Sequence, residues 1–309
     1  KLSDKAKKLS SIIFYNDLGT LMDRSERIQE LCLRISEIID LDISNKIDKL
    51  KFSNVDLTTE LVREYPSLQG YVGGFYAKLN GFDEEVCDAF SSQYEFSSNT
   101  IKNELAFVLS VSQKIDSVFG FFASNRKVTG SGDPFGIRRI VLSLINLLIH
   151  KEVNLGFSDI FKVLIEIYEN QRIQIKFDKS KVIEFLNKRI EILLSERGYD
   201  VNLIKSCFLK DDFNPSIIFS NIQRINFFLN SKEGKEFIKS YKRLESIIWQ
   251  EKIEKKIDEK IFKKIEEKRL FLSTVALKKD YEKNTELLNK KSFYDLSKNI
   301  NEFLDNVMV

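Results

Sequence analysis

The chain has 309 residues, 43% of them hydrophobic and 25 of them phenylalanine, and its formal net charge is only +3. This is ample apolar material for packed cores in about two domains of ~150 residues each, and the balanced charge leaves any nucleic-acid contact to local basic patches. Cys32, Cys87 and Cys207 are odd in number and form no Cys-x-x-Cys pair, which excludes a disulfide framework and reads as the reduced thiols of a cytoplasmic protein. No uninterrupted apolar stretch reaches the ~20 residues that a membrane span needs. No signal peptide is visible, and Lys1, which is no initiator, reads as the start of a fragment.

Taken in order, residues 3–40 predict one or two helices. Leu18, Leu21, Met22, Ile28, Leu31, Ile35, Ile38 and Ile39 mark the buried face, and Asp23, Arg24, Glu26 and Arg27 are expected to face away. A helix over 56–65 should stop before Pro66. Gly70, Gly73, Gly74 and Gly81 then imply turns or close helix packing. Asp83 is expected to cap a helix running through Tyr94, and Thr100 another that runs to about Phe122.

Next comes a glycine-rich turn with Gly130 and Gly132, where the backbone is free of Cβ restriction. Asp133 can cap the helix that follows, and Pro134 suits its first position. That helix carries Ile137, Ile140, Val141, Leu144, Ile145 and Leu148 to His150 and reads as buried. Arg138 and Arg139 sit in its first turn, where the helix dipole disfavours cations, so they need an acidic partner or a phosphate.

Beyond residue 150 glycine becomes sparse and the pattern is almost continuously helical. Asp178 caps a helix that ends at Gly198, and further helices fit 201–209, 216–230, 233–253, 258–281 and 285–307. Ile253, Ile257, Ile261, Ile265 and Leu272 read as one buried stripe of a mixed-charge bundle helix. No strand alternation is sustained. The expected fold is all-α, divided into 1–155 and 156–309.

Enzyme signatures are missing from the residues. Gly130, Gly132 and Gly136 miss the Gly-x-Gly-x-x-Gly spacing, and no Walker lysine is present. The single histidine, His150, suits the C-terminal dipole of its helix better than a ligand or base role.

Four ordered blocks carry a resemblance: Leu18–Arg27, Asp56–Gly70 with Gly73 and Tyr76-Ala77, Thr129–Arg139, and Phe303–Val309. Together they resemble the β subunit of the two-subunit bacterial glycyl-tRNA synthetase, with Gly132 where that family has lysine. The resemblance implies a degenerate HD-type helical domain in the first half. Asp56 stands at the dyad's aspartate but follows Val55, and Gln113 replaces a further aspartate, leaving Lys114 and Asp116. No metal is expected there. Asp56 should bond a backbone N–H or a lysine, and Arg138 and Arg139 should pair with Asp116, Asp133 or another acid.

For the second half the resemblance implies a helical-bundle anticodon-binding region, with Lys242, Arg243 and Ile247 matching a family block and Ser246 replacing its asparagine. Lys239, Lys242, Arg243 and Trp249, with Arg138 and Arg139, are the candidate tRNA-binding residues. Lysine and arginine fix phosphates, while aromatics stack on unpaired loop bases. The implied partners are tRNA(Gly) and a separate α subunit in an α2β2 assembly. That subunit uses ATP and magnesium, with no cofactor in this chain. Two other classes are weighed against this reading: a metal-dependent phosphohydrolase, and a scaffold for the α subunit that never touches RNA.

Overall fold

A computed structural model describes residues 2–15, 17–124, 133, 135–248, 257–283 and 290–307. They form α1 (Leu2–Lys8), α2 (Leu21–Ile38), α3 (Ile47–Leu50), α4 (Glu60–Glu64), α5 (Tyr71–Leu79), α6 (Glu84–Ser92), α7 (Glu104–Ala123) and α8 (Ile137–His150). These are followed by α9 (Phe157–Asn170), α10 (Lys179–Glu196), α11 (Val201–Ser206), α12 (Pro215–Asn230), α13 (Lys232–Ile248), α14 (Ile265–Lys283) and α15 (Lys290–Asn306). Among the described residues there is no strand, only an isolated bridge between Ile13 and Thr20. The fold is all-α. The chain divides into two compact units, Lys1–Phe219 and Ser220–Val309.

In the first unit α7 is the central element. It is buried from Leu105 to Ala123 with few gaps, its two apolar ends flanking a polar middle from Ser110 to Ser117. By length and composition it could cross a membrane, but 89% of its apolar window is buried inside this fold. Asn103 caps it by accepting the Ala106 N–H, three residues after the predicted cap Thr100. It packs against α2, α6, α8 and α9.

Helix α2 begins at a capping box, in which Thr20 and Asp23 each accept the other's backbone N–H. The predicted helix over 56–65 is instead a 3-10 turn, Val55–Thr58, and then α4, whose start is capped by Thr59. Gly70 turns the chain at φ +87°, and Gly74 brings α5 onto α6: a Cβ there would lie 1.9 Å from Ser91 Oγ and 2.5 Å from the Cys87 carbonyl oxygen. Asp83 leaves the α6 cap unfilled and pairs with Lys49 across the surface.

Gly130, Gly132 and Pro134 lie outside the described residues. Helix α8 starts at Ile137 behind Gly136 in the left-handed region, and the Asp133 carboxylate accepts the Arg138 N–H at 3.1 Å. The N-cap is therefore Gly136 and not Asp133 as expected; the Asp133 carboxylate reaches the first turn from three residues before the cap. His150 is its last residue. Asp178 caps α10 by accepting the Lys181 N–H, and Gly198 follows its end at φ +90°.

The contact-based division differs from the sequence-based boundary at 155/156. Helix α9 packs on α2 and α7, and α10 on α8. A phenylalanine cluster (Phe119, Phe157, Phe161, Phe177, Phe213) explains this, since it joins rings from both sides of that boundary.

In the second unit α15 packs against both α13 and α14. Phe228, Phe237 and Phe293 form its aromatic centre, and Ser240 meets Ser297 at 2.8 Å across α13 and α15. The predicted buried stripe is overturned. Ile257, Ile261, Ile265 and Leu272 are 64%, 68%, 60% and 51% exposed; Ile253 lies outside the described residues. The continuous helix that would have aligned them does not form: a 3-10 turn at Glu259–Ile261 precedes α14, and Glu267 accepts the N–H groups of Lys263 and Lys264 to start it afresh.

Candidate functional site

Two buried polar clusters flank α7. The first is ionic. Asp116 receives Arg24 Nε at 3.0 Å and Arg27 Nε at 3.1 Å, one on each carboxylate oxygen. The arginines, expected to face away, are buried with it. Arg24 also donates to Ser117 Oγ at 2.8 Å and to Gln113 Oε1 at 3.1 Å. Arg27 reaches Gln171 Oε1 at 2.9 Å, and its guanidinium lies 4.4 Å from the Tyr168 ring centroid, as Arg24's does from Phe14. Amides, a hydroxyl and ring faces take most of the remaining donors, which makes two cations on one carboxylate tolerable, while Arg27 Nη2 is left without a hydrogen bond. The signal was present in the sequence: Arg24 is three residues after Leu21 and four before Ile28, so it shares their face.

The second cluster is neutral and amide-rich. Gln113 Nε2 donates to Asn54 Oδ1 at 2.9 Å and to Gln93 Oε1 at 2.7 Å. Asn54 Oδ1 also accepts the Tyr94 hydroxyl at 2.6 Å, and Gln93 Nε2 donates to the Ser53 carbonyl at 2.8 Å. Asp56 lies beside this set, fully buried, with Oδ2 accepting the Gly70 N–H at 2.6 Å. Burial pushes its carboxyl up to about 6. Lys114 donates to Ser110 Oγ at 2.6 Å and to the Gln93 carbonyl at 3.2 Å, and burial pulls its ammonium down to about 8. A cavity of about 350 Å³ opens here, lined by Gln93, Tyr94, Gln113 and Lys114 with Tyr71 and Phe96.

A metal does not fit this place. Asp56 brings one carboxylate, its Oδ2 bonded to Gly70 and its buried Oδ1 without a partner, and Val55 before it offers no donor, so a single ligand stands where several are needed. The amides are bonded to one another, and Asp116 is neutralised by two arginines. Among the described residues no three His, Cys, Asp or Glu side chains come together. Asp56 bonds a backbone N–H, one of the two partners expected of it. Asp116 does not pair with Arg138 or Arg139, because Arg24 and Arg27 hold both its oxygens. Asn54, Gln93, Arg24 and Arg27 were not singled out from the sequence, although they make most of the contacts.

Helix α13 carries the remaining candidates. Lys235, Lys239 and Lys242 are exposed at spacings of four and three residues, which puts them on one face. Arg243 turns to α15, donating to Asn301 Oδ1 at 2.7 Å and pairing with Asp305 at 2.7 Å. Tyr241 is exposed beside Lys242, with its ring centroid 6.3 Å from that of Phe237 in a tilted arrangement. Trp249 lies outside the described residues. Arg139, exposed at the start of α8, has its guanidinium 6.0 Å from the Phe96 ring centroid.

The described residues thus define an all-α protein with two buried polar clusters around α7 in its first unit and an exposed lysine face on α13 in its second. The comparisons with known proteins give its family. Residues 1–209 match the family model described as glycyl-tRNA synthetase beta subunit. A glycine–tRNA ligase beta subunit of Rickettsia bellii (strain OSU 85-389) is 30% identical over 315 residues, covering 100% of this chain and 45% of the relative. One of Rickettsia canadensis (strain McKiel) is 32% identical over 326 residues, covering 100% and 46%. The chain belongs to the glycyl-tRNA synthetase beta subunit family, and it spans about half the length of these relatives.

Proposed function

We propose that this chain is a tRNA-holding part of a glycyl-tRNA synthetase β subunit in the cytoplasm. It grips tRNA(Gly) and presents the acceptor end to a separate α subunit, which activates glycine with ATP and magnesium in an α2β2 assembly. The first unit is the degenerate HD-type domain, its former metal position filled by the amide cluster, and it takes no part in chemistry. The family match along the whole chain carries this reading.

The exposed row Lys235, Lys239 and Lys242 supports it, because seven residues of helix rise about 10 Å, enough to follow a phosphate backbone. Tyr241 offers an exposed ring for an unpaired base. Arg243 acts mainly as a tie to α15, and Arg138 and Arg139 are secondary contacts at most.

The test is a salt titration of tRNA binding by the wild-type chain and by Lys235→Glu/Lys239→Glu/Lys242→Glu, using glycine tRNA and an anticodon-altered version. The expected result is at least a tenfold loss, with the log–log salt slope reduced by about 1 for each phosphate contact removed. A preference above ~1 kcal/mol for the native anticodon would place base reading in this chain. Unchanged binding by the triple variant would overturn the platform, and no binding by the wild type would favour the scaffold reading.

A further inference from the structure

Helix α5 is apolar on two opposite faces. Its inner face, Val72, Gly73, Gly74 and Ala77, is buried. Its outer face carries Tyr71, Phe75 and Leu79, at i, i+4 and i+8, and these are 54%, 61% and 65% exposed. Leu68, just before the helix, and Tyr65 extend the exposed apolar run. Side chains of this size amount to an open apolar surface on the order of 500 Å², at the upper end of what a monomer leaves uncovered. Tyr71 is fixed by its hydroxyl, which donates to Glu95 at 2.6 Å, and Phe75 stands edge-on to Tyr76. The face is therefore a set surface rather than a loose one.

We propose that this face is an interdomain docking surface, and that its occupant is polypeptide of the same β subunit lying outside the span of this chain. Two observations select that occupant. The relatives devote more than half of their length to sequence this chain does not cover, so a large amount of covalently attached protein has to pack somewhere. Helix α1, at the beginning of the chain, is also fastened to the far end of the stripe: the Leu2 N–H points to Asn80 Oδ1 at 3.4 Å, and Lys5 Nζ lies 4.8 Å from the Tyr76 ring centroid. Polypeptide joined to α1 reaches Leu79 and Phe75 at high effective concentration without a long linker. The three-residue stripe contains no charge, which suits permanent contact within one subunit better than an exchanging partner.

Phe75→Cys and Leu79→Cys, each made in a Cys87→Ser background, turn this into a labelling experiment, because Cys32 and Cys207 are buried. Maleimide labelling rates are compared in the 309-residue chain and in the full-length β subunit, each at two protein concentrations and with or without the α subunit. Far-UV circular dichroism checks that each variant is folded. Labelling at both positions should be at least tenfold slower in the full-length subunit alone, with no further protection from the α subunit. Equal rates in the two chains would overturn the proposal. So would protection that appears only with the α subunit, or concentration-dependent protection of the 309-residue chain by a second copy. None of these outcomes depends on tRNA binding, so the docking surface and the tRNA platform fail separately.

Discussion

The two units put the same side chains to opposite uses. In the first, a carboxylate and two arginines are buried beside the central helix. In the second, isoleucines at regular spacing stand in the open while Arg243 and Asp305 meet at the surface. Charge by itself therefore does not say where a residue goes. A guanidinium can be buried if enough acceptors converge on it, and an apolar stripe is buried only if another element arrives to cover it. In the first unit α7 brings Asp116, Gln113 and Ser117 together along successive turns facing α2. In the second, α14 packs against α15 on one side and leaves Ile265 and Leu272 outside.

The strongest test of that contrast is Asp116→Asn. Removing the charge leaves two buried arginines facing a neutral amide, and the expected cost is about 3–5 kcal/mol. Urea unfolding should show a lower midpoint with an unchanged slope. Replacing the trio together, as Arg24→Met/Arg27→Met/Asp116→Leu, should cost less than Asp116→Asn, because no uncompensated charge is left behind. If the single change is harmless, the cluster is not what holds α2 to α7.

Much of this fold was legible from the sequence, and the failures have a common cause. The all-α class, the helix ending at His150, and the cap at Asp178 follow from local rules that act within a turn or two. Arg24 and Arg27 were misplaced because polar residues were assigned outward by type, when their spacing from Leu21, Ile28 and Leu31 put them inward. Their burial depends on Asp116, some ninety residues away, and no local pattern encodes that. The isoleucine stripe failed the other way. Its period was read correctly as helical, but the break before Ile265 and the missing covering element are tertiary facts. Asp56 was legible as a residue bonded to a backbone N–H; the amides that fill the space around it were not, because a lone Asn or Gln carries no spacing signal.

Gly74→Ala tests close packing in the first unit. A methyl there would meet Ser91 Oγ and the Cys87 carbonyl at distances no side chain tolerates, so α5 must shift from α6. A loss of about 2–3 kcal/mol is expected, read as a fall in melting temperature. Gly81→Ala, where no atom lies within 4 Å but φ is +75°, should cost less, about 1 kcal/mol. The difference between the two separates crowding from backbone strain.

Asp56 offers a test by pH. Its carboxyl is raised from 3.8 to about 6, so between those values the folded chain keeps a proton that the unfolded chain has released. Stability should therefore fall as pH rises from about 4 to 6 and level off above, the penalty at neutral pH being about 3 kcal/mol. Asp56→Asn retains an oxygen for the Gly70 N–H and has no charge to bury. The stability of the variant relative to wild type should rise across that window and then stay constant. A difference that is flat with pH would mean that Asp56 is ionised in the folded chain throughout.

The smallest effect is expected at the second unit's own ion pair, and its smallness is the point. Asp305→Asn leaves Arg243 exposed to solvent and still bonded to Asn301, so water replaces the lost carboxylate. The change should cost no more than about 1 kcal/mol and should fade as salt is added. The same chemical substitution thus spans several kcal/mol between Asp116 and Asp305, although each aspartate pairs with arginine at about 3 Å. Contact distances are similar in both places, and what differs is that Asp116 serves two buried arginines with no solvent to take over, whereas Asp305 serves one that water can reach. If Asp305→Asn instead proved as damaging as Asp116→Asn, the tie between α13 and α15 would be structural in its own right. The loss of tRNA binding expected from charge reversal on α13 would then have to be separated from loss of the bundle, by repeating the salt titration on Asp305→Asn with its lysine row intact.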